Sequence, residues 1–392
     1  MSLPLITPLI VFAQQRWEPV YQRTQHLLSR IAHQHRVIYV EEPVCEPVSE
    51  PKFEFRNPCD NVLVARPVTP IAAPGFCDAQ MPLLKELLVQ LLDDEDIDAH
   101  VAWCTTADAL PLLDVLRPLA VVFDAAEAVP SPAQLRQADL VFSASPTQQA
   151  ALRTLHRNAH PLPNGVEAAH YAPSRVTAQL DDYLAAERLQ GHILAPRFGF
   201  AGAIDDSVDL ALLDTLAAAR PDWHLVMVGP VQVDPAALPR HANLHWLGQQ
   251  AASRLPALVA GWDVCLLPLR TAGGGSAAAL ATPLEYLAAE KPVVSTTLPD
   301  VAGLYGEVVT LAGDPEAFIA ACEQALNETP EARAGRLSRS AATVEQHSWD
   351  EAARRASRLI EAVAAANAGQ RPRHAWPLEG RGLPLHPSLA AL

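Results

Sequence analysis

Phe198-Gly199-Phe200-Ala201-Gly202 is a short apolar run that ends on glycine, and the segments around it decide the fold. Val208 to Arg220 follows with the apolar spacing of a helix, and His224-Leu225-Val226-Met227-Val228 is a second apolar run stopped by Gly229-Pro230. Strand, helix and strand in this order make the repeating unit of a parallel sheet, whose strands need a crossover long enough to hold a helix. Towards the C-terminus the alternation continues. Leu244-His245-Trp246-Leu247, Val264-Cys265-Leu266-Leu267 and Pro292-Val293-Val294-Ser295 read as strands, and Leu284–Ala289, Ala317–Leu326 and Trp349–Ala365 as helices. Towards the N-terminus the same pattern runs back through Asp139–Ser143, Ala120–Phe123 and His100–Trp103, each a strand, and a helix over Met81–Leu92. Lys52–Arg56 and Val62–Arg66 form a hairpin about Asn57-Pro58-Cys59-Asp60-Asn61. Arg36–Val40 is a strand, Val20–His35 a helix with Leu27, Leu28 and Ile31 on one face, and Leu9-Ile10-Val11-Phe12 the first strand. The pattern breaks once, at Pro161-Leu162-Pro163-Asn164-Gly165, and the segment on to Pro196 reads as polar and irregular. Two α/β domains joined there are the expectation, with ligands at the carboxyl ends of the strands.

Composition agrees. The chain has 392 residues, too many for one ordinary core, with 49% hydrophobic and 19% charged side chains. Its formal net charge is −15, and dividing it at residue 190 leaves 14 basic to 23 acidic residues, then 15 to 21. Neither half offers the basic surface that nucleic acid or an anionic bilayer requires, so no nucleic-acid partner and at most peripheral membrane contact are expected. Only Lys52, Lys85 and Lys291 are lysines. The six cysteines (45, 59, 77, 104, 265 and 322) lack CxxC or zinc-ligand spacing, which fits a reducing compartment and no metal. The apolar start has no basic n-region and is interrupted by Pro4 and Pro8, so it reads as a strand rather than a signal peptide, and the expected location is cytoplasmic.

Four groups of segments, in this order, resemble the group-1 GT-B glycosyltransferases, and among them bacterial polysaccharide enzymes of the teichuronic-acid type. They are Trp17–Leu28 with Arg36–Pro43; Ala138–Ser143 with Pro163-Asn164-Gly165-Val166 and Tyr171-Ala172-Pro173; Trp223–Pro230 with Trp246-Leu247-Gly248 and Gly261–Pro268; and Leu284–Ser295. His347-Ser348-Trp349-Asp350 closes the match, which spans roughly residues 9 to 365. The resemblance implies a GT-B fold, two Rossmann-like domains facing a central cleft. It implies an acceptor-side domain over 1–172, a nucleotide-sugar domain over 173–348, and a helix over 349–365 that returns to the first domain; 366–392 is an irregular tail. It implies a nucleotide-sugar donor, a glycan or lipid-linked acceptor, and no cofactor beyond the donor.

On the donor side the resemblance points to Glu285, whose two oxygens suit the vicinal diol of a ribose. Thr282-Pro283-Leu284-Glu285 also reads as a capping box, in which Glu285 would bond the backbone of Thr282. Both readings stand on sequence alone. Gly273-Gly274-Gly275-Ser276 could cradle a diphosphate or be a plain surface loop. Gly202, Gly229 and Gly248, which follow strands, and Thr282 are further candidates for contact with the donor nucleotide sugar. Relatives commonly carry a lysine where Thr282 stands and basic residues where Ala203-Ile204-Asp205-Asp206 follow Gly202. A leaving diphosphate needs positive charge, so Arg270, or an arginine of the first domain, has to provide it.

On the acceptor side, Arg23 and Gln22 face the cleft in the expected fold, where they could meet donor phosphates or acceptor hydroxyls or simply form a solvated first helix turn. Asp124 and Glu127 follow the strand Val121-Val122-Phe123 at a position where relatives are acidic, Glu127 being the candidate base or sugar ligand. His26, His33 and His35 mix helix faces and read as solvated or interdomain side chains. The leading expectation is a nucleotide-sugar-dependent glycosyltransferase of surface-glycan assembly. A catalytically degenerate GT-B protein serving a partner glycosyltransferase is the alternative, and a nucleotide-sugar epimerase ranks third.

Overall fold

The computed structural model describes residues 6–18, 21–271 and 280–368. The first domain runs β1 (Ile6–Phe12), α1 (Arg23–Ile31), β2 (His35–Val40), β3 (Val44–Cys45), β4 (Lys52–Cys59), β5 (Val62–Thr69), α2 (Met81–Asp94), β6 (Val101–Cys104), α3 (Leu113–Leu116), β7 (Ala120–Asp124), α4 (Pro132–Leu135), β8 (Leu140–Ser143), α5 (Pro146–Leu155) and β9 (Ala159–Pro161). Its strands lie in the order β3-β5-β2-β1-β6-β7-β8-β9, all parallel, with β4 pairing antiparallel to β5. The apolar runs are continuous rather than alternating because helices cover both faces of the sheet, and two separate cores result. Ile10, Phe12 and Ile38 face one, and Leu9, Val11 and Val37 face the other.

After α6 (Ala168–Tyr171), α7 (Pro173–Ala178) and α8 (Leu180–Gln190), the second domain runs β10 (Arg197–Ala201), α9 (Leu210–Ala219), β11 (His224–Val228), β12 (Leu244–Trp246), α10 (Leu255–Ala260), β13 (Val264–Leu267), α11 (Thr282–Ala288), β14 (Val293–Thr296), α12 (Pro299–Tyr305), β15 (Thr310–Ala312), α13 (Pro315–Leu326) and α14 (Pro330–Gln346). Its six parallel strands are ordered β12-β11-β10-β13-β14-β15. Gly199 in β10 has a packing reason: a Cβ there would stand 1.9 Å from the ring of Trp262.

Several expectations shift. The segment 162–196 is not irregular, for it carries α6, α7 and α8, which bury Tyr171, Val176 and Ala186 in the second core. Their apolar residues are few and each helix is short, so little periodicity marks them in the sequence. Core membership changes over between Leu162 and Val166, so the residues just before 172 pack with the second domain. The first helix stops at Ile31, and His35 opens β2 instead of ending that helix; residues 19 and 20 of the expected span lie outside the described residues.

α15 (Trp349–Ala368) returns to the first domain and buries Trp349, Ala353, Ala356 and Ile360 there. It runs to Ala368, three residues past the expected end, and 369–392 lie outside the described residues. The two chain crossings touch. The Val166 amide donates to the His347 carbonyl at 3.0 Å, and Gly165 lies so near Trp349 that a Cβ would meet its amide nitrogen at 2.7 Å. His26 stacks on Trp349 at 4.9 Å between ring centroids and 4° between planes. Burial first, and the nearby Arg30 charge second, lower its pKa from 6.5 to about 4.

A histidine lowered in this way supports folding fully above pH 6.5 and loses that support as the pH falls through about 4. In His26→Phe, the difference in unfolding free energy from wild type should shift by up to about 2 kcal/mol in the variant's favour between pH 8 and pH 5. Urea denaturation of both proteins at the two pH values checks this, and parallel pH profiles would refute it.

Candidate functional site

The candidate residues lie at strand ends and helix starts of the two domains. On the first-domain side, Asp124 is the last residue of β7 and 3% exposed. Arg23, opening α1, grips it with two bonds, Nε to Oδ2 at 3.1 Å and Nη2 to Oδ1 at 3.2 Å. Its Nη1 donates to Asn164 Oδ1 at 3.0 Å. The expected roles therefore change. Arg23 is not a free cation awaiting a phosphate, and Asp124 is an ion-pair partner rather than an available base. Gln22 caps α1 in a reciprocal box with Gln25, its amide donating to Gln25 Oε1 at 3.1 Å, which accounts for it without a ligand. Glu127 stands apart. It is exposed, accepts a bond from the Gln15 amide, and has its pKa raised by partial burial first and by the Asp124 charge second, against the Arg23 charge. An exposed carboxyl shifted upwards is better suited to accept a proton than an ion-paired one.

Sequence reasoning passed over a second carboxylate on this side. Glu41, at the end of β2, is fully buried and accepts from the Trp17 amide at 2.9 Å, Arg16 Nη1 at 3.1 Å and Arg56 Nη2 at 2.9 Å. It fixes the turn after β1 that carries Gln15. The only sequence signal was a pair of glutamates directly after an apolar strand.

On the second-domain side, Gly202, Gly229 and Gly248 come together at the strand ends. The Gly202 amide donates to the Val228 carbonyl at 2.9 Å and the Gly229 amide to the Gly248 carbonyl at 2.9 Å. Gly229 has φ +149° and lies so close that a Cβ would stand 1.8 Å from the Gly202 oxygen, so no other residue fits. Arg270 follows β13 with its backbone amide bonded to the Ser207 carbonyl at 2.7 Å. Its side chain is exposed and forms no ion pair among the described residues. Gly273, Gly274, Gly275 and Ser276 lie outside the described residues.

The capping-box reading of Glu285 fails. Ala281, not Thr282, is the N-cap of α11, no side chain caps it, and Thr282 is the first helical residue. Glu285 thus sits one position further into the helix than a box requires. Its carboxyl meets the Tyr171 hydroxyl instead, and burial outweighs that bond to raise its pKa to about 7. Next to it the buried Tyr286 hydroxyl accepts the Ala201 amide at 2.7 Å, tying α11 to the end of β10. Tyr171 belongs to α6, so the missed helix supplies the partner of the sharpest candidate residue.

Two open surface depressions lie elsewhere, one walled by Trp246, His241 and Leu244, the other by Arg36, Asn57 and Glu95. Among the described residues no three His, Cys, Asp or Glu side chains cluster as a metal site. No described helix is long and apolar enough to cross a membrane.

The second domain, with this glycine cluster and Glu285, matches a family described as glycosyl transferases group 1 over residues 195–328. The chain is also 30% identical over 176 residues to TuaH of Bacillus subtilis (strain 168), a protein named as a glycosyltransferase of teichuronic acid biosynthesis. That stretch is 43% of this chain and 43% of the relative, so less than half of the relative's length is spanned. Among solved structures, the chain is similar to a UDP-forming α,α-trehalose-phosphate synthase from Burkholderia xenovorans, with TM-score 0.69, 16% identity, and 92% of this chain and 100% of that one covered. It is also similar to sucrose-phosphate synthase from Thermosynechococcus elongatus, with TM-score 0.65, 17% identity, and 92% and 100% covered. A structure described as trehalose-6-phosphate from E. coli bound with UDP-2-fluoro glucose aligns at TM-score 0.63 with 15% identity and 91% and 99% covered. At such identities the likeness establishes the fold, and that fold is GT-B.

Proposed function

We propose that this chain is a glycosyltransferase that moves a sugar from a nucleoside-diphosphate sugar to a carbohydrate or lipid-linked acceptor in surface-glycan assembly. The observation that carries the reading is the Glu285 carboxyl, not used as a helix cap and held by Tyr171 at the start of α11. Two acceptor oxygens at a helix start suit the hydroxyls of a ribose, and they lie in the domain that matches the family. Of the three strand-end glycines, Gly229 packs on the Gly202 oxygen and Gly202 on the Phe200 ring, while Gly248 has open space where a Cβ would point and is where a nucleotide can approach the backbone closely. Arg270, exposed and without an ion-pair partner among the described residues, is the cation for the developing diphosphate. Glu127 is the group on the opposite side able to take a proton from an acceptor hydroxyl. The relative named for teichuronic acid biosynthesis supports a polysaccharide context.

Calorimetric titration with UDP-, GDP- and dTDP-sugars tests the reading. One of the three should bind with a Kd on the order of 10–100 μM, and Arg270→Ala should weaken it about tenfold. If none binds the folded protein, the donor site is wrong. No observation favours the non-catalytic alternative, and turnover by the isolated chain, lost in Glu285→Ala, would exclude it.

A further inference from the structure

The two domains also meet through a contact that neither the donor nor the acceptor reading uses. Asp300, in the first turn of α12, is nearly buried and crosses to the first turn of α5. Its Oδ1 accepts the Thr147 amide at 2.8 Å and its Oδ2 accepts the Thr147 hydroxyl at 2.8 Å. Among the described residues no arginine or lysine pairs with it. The carboxylate is instead satisfied by the unpaired amide end of a helix in the other domain, where a negative charge is favoured. Gly303 allows the approach, since a Cβ there would stand 3.0 Å from Pro146 of α5.

The next residue of α5 continues inward. Gln148 Oε1 accepts the Ala144 amide at 2.7 Å, and its Nε2 donates to the Ala125 carbonyl at 2.5 Å. Ala125 lies between Asp124 and Glu127; its amide is bonded to the Phe142 carbonyl at 2.9 Å, and the following Ala126 amide to Asp124 Oδ1 at 3.3 Å. Hydrogen bonds made by the adjacent residues Thr147 and Gln148 of α5 therefore link α12 of the second domain to the turn that carries Glu127.

We propose that Asp300 and Gln148 are positioning residues through which docking of the second domain orders the 124–127 turn. When the domains part, Asp300 leaves the first turn of α5, that turn loosens, and Gln148 no longer holds the Ala125 carbonyl. Glu127 then stands in its working position only while the nucleotide-sugar domain is docked, which restrains proton transfer in its absence. The coupling of this turn to turnover rests on the glycosyltransferase reading; the structural coupling does not.

Hydrogen exchange by mass spectrometry on the full chain separates the two. Asp300→Ala and Gln148→Leu should each raise exchange at least tenfold in peptides covering 124–127 and leave β10 and β11 unchanged, and the double variant should add little. Thr147→Val, which keeps the backbone bond and loses only the hydroxyl, should give a smaller rise and serves if Asp300→Ala misfolds. Faster exchange in Gln148→Leu alone, with Asp300→Ala and Thr147→Val like wild type, overturns the proposal, because the brace would then be internal to the first domain. With the donor identified by the titrations above, Asp300→Ala should lower kcat at least tenfold with donor KM within twofold. A rise in KM at unchanged kcat would also overturn it. Lack of any donor defeats the glycosyltransferase reading and leaves the exchange result to decide this one.

Discussion

Glu285→Gln should make the protein more stable above pH 7 while destroying its affinity for a nucleotide sugar. The wild-type carboxyl is raised from 4.5 to about 7 because burial opposes its charge and the Tyr171 hydroxyl only partly compensates. An acid raised on folding contributes stability that is complete below its unfolded pKa of 4.5. That contribution is lost as the pH climbs through about 7, where the folded protein must hold a buried anion. Between pH 4 and pH 8 the wild type should therefore lose about 3 kcal/mol that Glu285→Gln retains. Gln has the same shape and keeps an oxygen towards Tyr171, so packing should change little. It offers one acceptor in place of two, without charge, and the nucleotide sugar should bind about a hundredfold more weakly. Thermal melts at pH 5 and pH 8 with donor titration at pH 8 measure both effects. Identical pH dependence of the two proteins would show that the carboxyl is not buried as described. A gain in stability matched by a loss of binding is what a site held against its own folding preference predicts.

Arg23→Ala should be the most damaging single change on the acceptor side. It leaves Asp124, 3% exposed, with no counter-ion and only the Ala126 amide at 3.3 Å. Breaking one side of a buried bidentate pair costs about 3–5 kcal/mol, because the remaining charge has lost both water and partner. Asp124→Ala should cost less, since Arg23 is 12% exposed and keeps Asn164. Removing both side chains should restore part of the loss, with a coupling of about 2 kcal/mol in the double-mutant cycle. Denaturant midpoints of the four proteins give the cycle. Additive losses would mean that the pair is not formed in solution. Activity should fall with Arg23→Ala through the position of the 124–127 turn rather than through phosphate binding, which separates it from Arg270→Ala.

Much of this was legible in the chain itself, for particular physical reasons. Leu9–Phe12, Phe198–Gly202 and Val264–Leu267 are continuous apolar runs too short for helices, and such runs are what a strand covered on both faces requires. Pro163-Asn164-Gly165 marked the crossing between domains because the backbone there must turn tightly against Trp349. The three strand-ending glycines were readable because a missing side chain at a strand end leaves room for close backbone approach. α6, α7 and α8 were not legible, since short helices anchored by a few residues such as Tyr171 and Val176 carry too little periodicity to stand out.

The sequence by itself determined the α/β class and the two-domain plan, which follow from local pattern and order, and its resemblance to the GT-B family implied the return of the last helix and the candidate residues. Only the tertiary structure decided what those residues do. Thr282-Pro283-Leu284-Glu285 is a capping box on paper, yet the helix starts at Thr282 and Glu285 turns to a tyrosine from another helix. Arg23 and Asp124, far apart in the chain, cancel each other, whereas Arg270 has no ion-pair partner among the described residues and Glu127 meets only the neutral Gln15 amide. A charge takes its role from the partner that reaches it, and long-range packing chooses that partner.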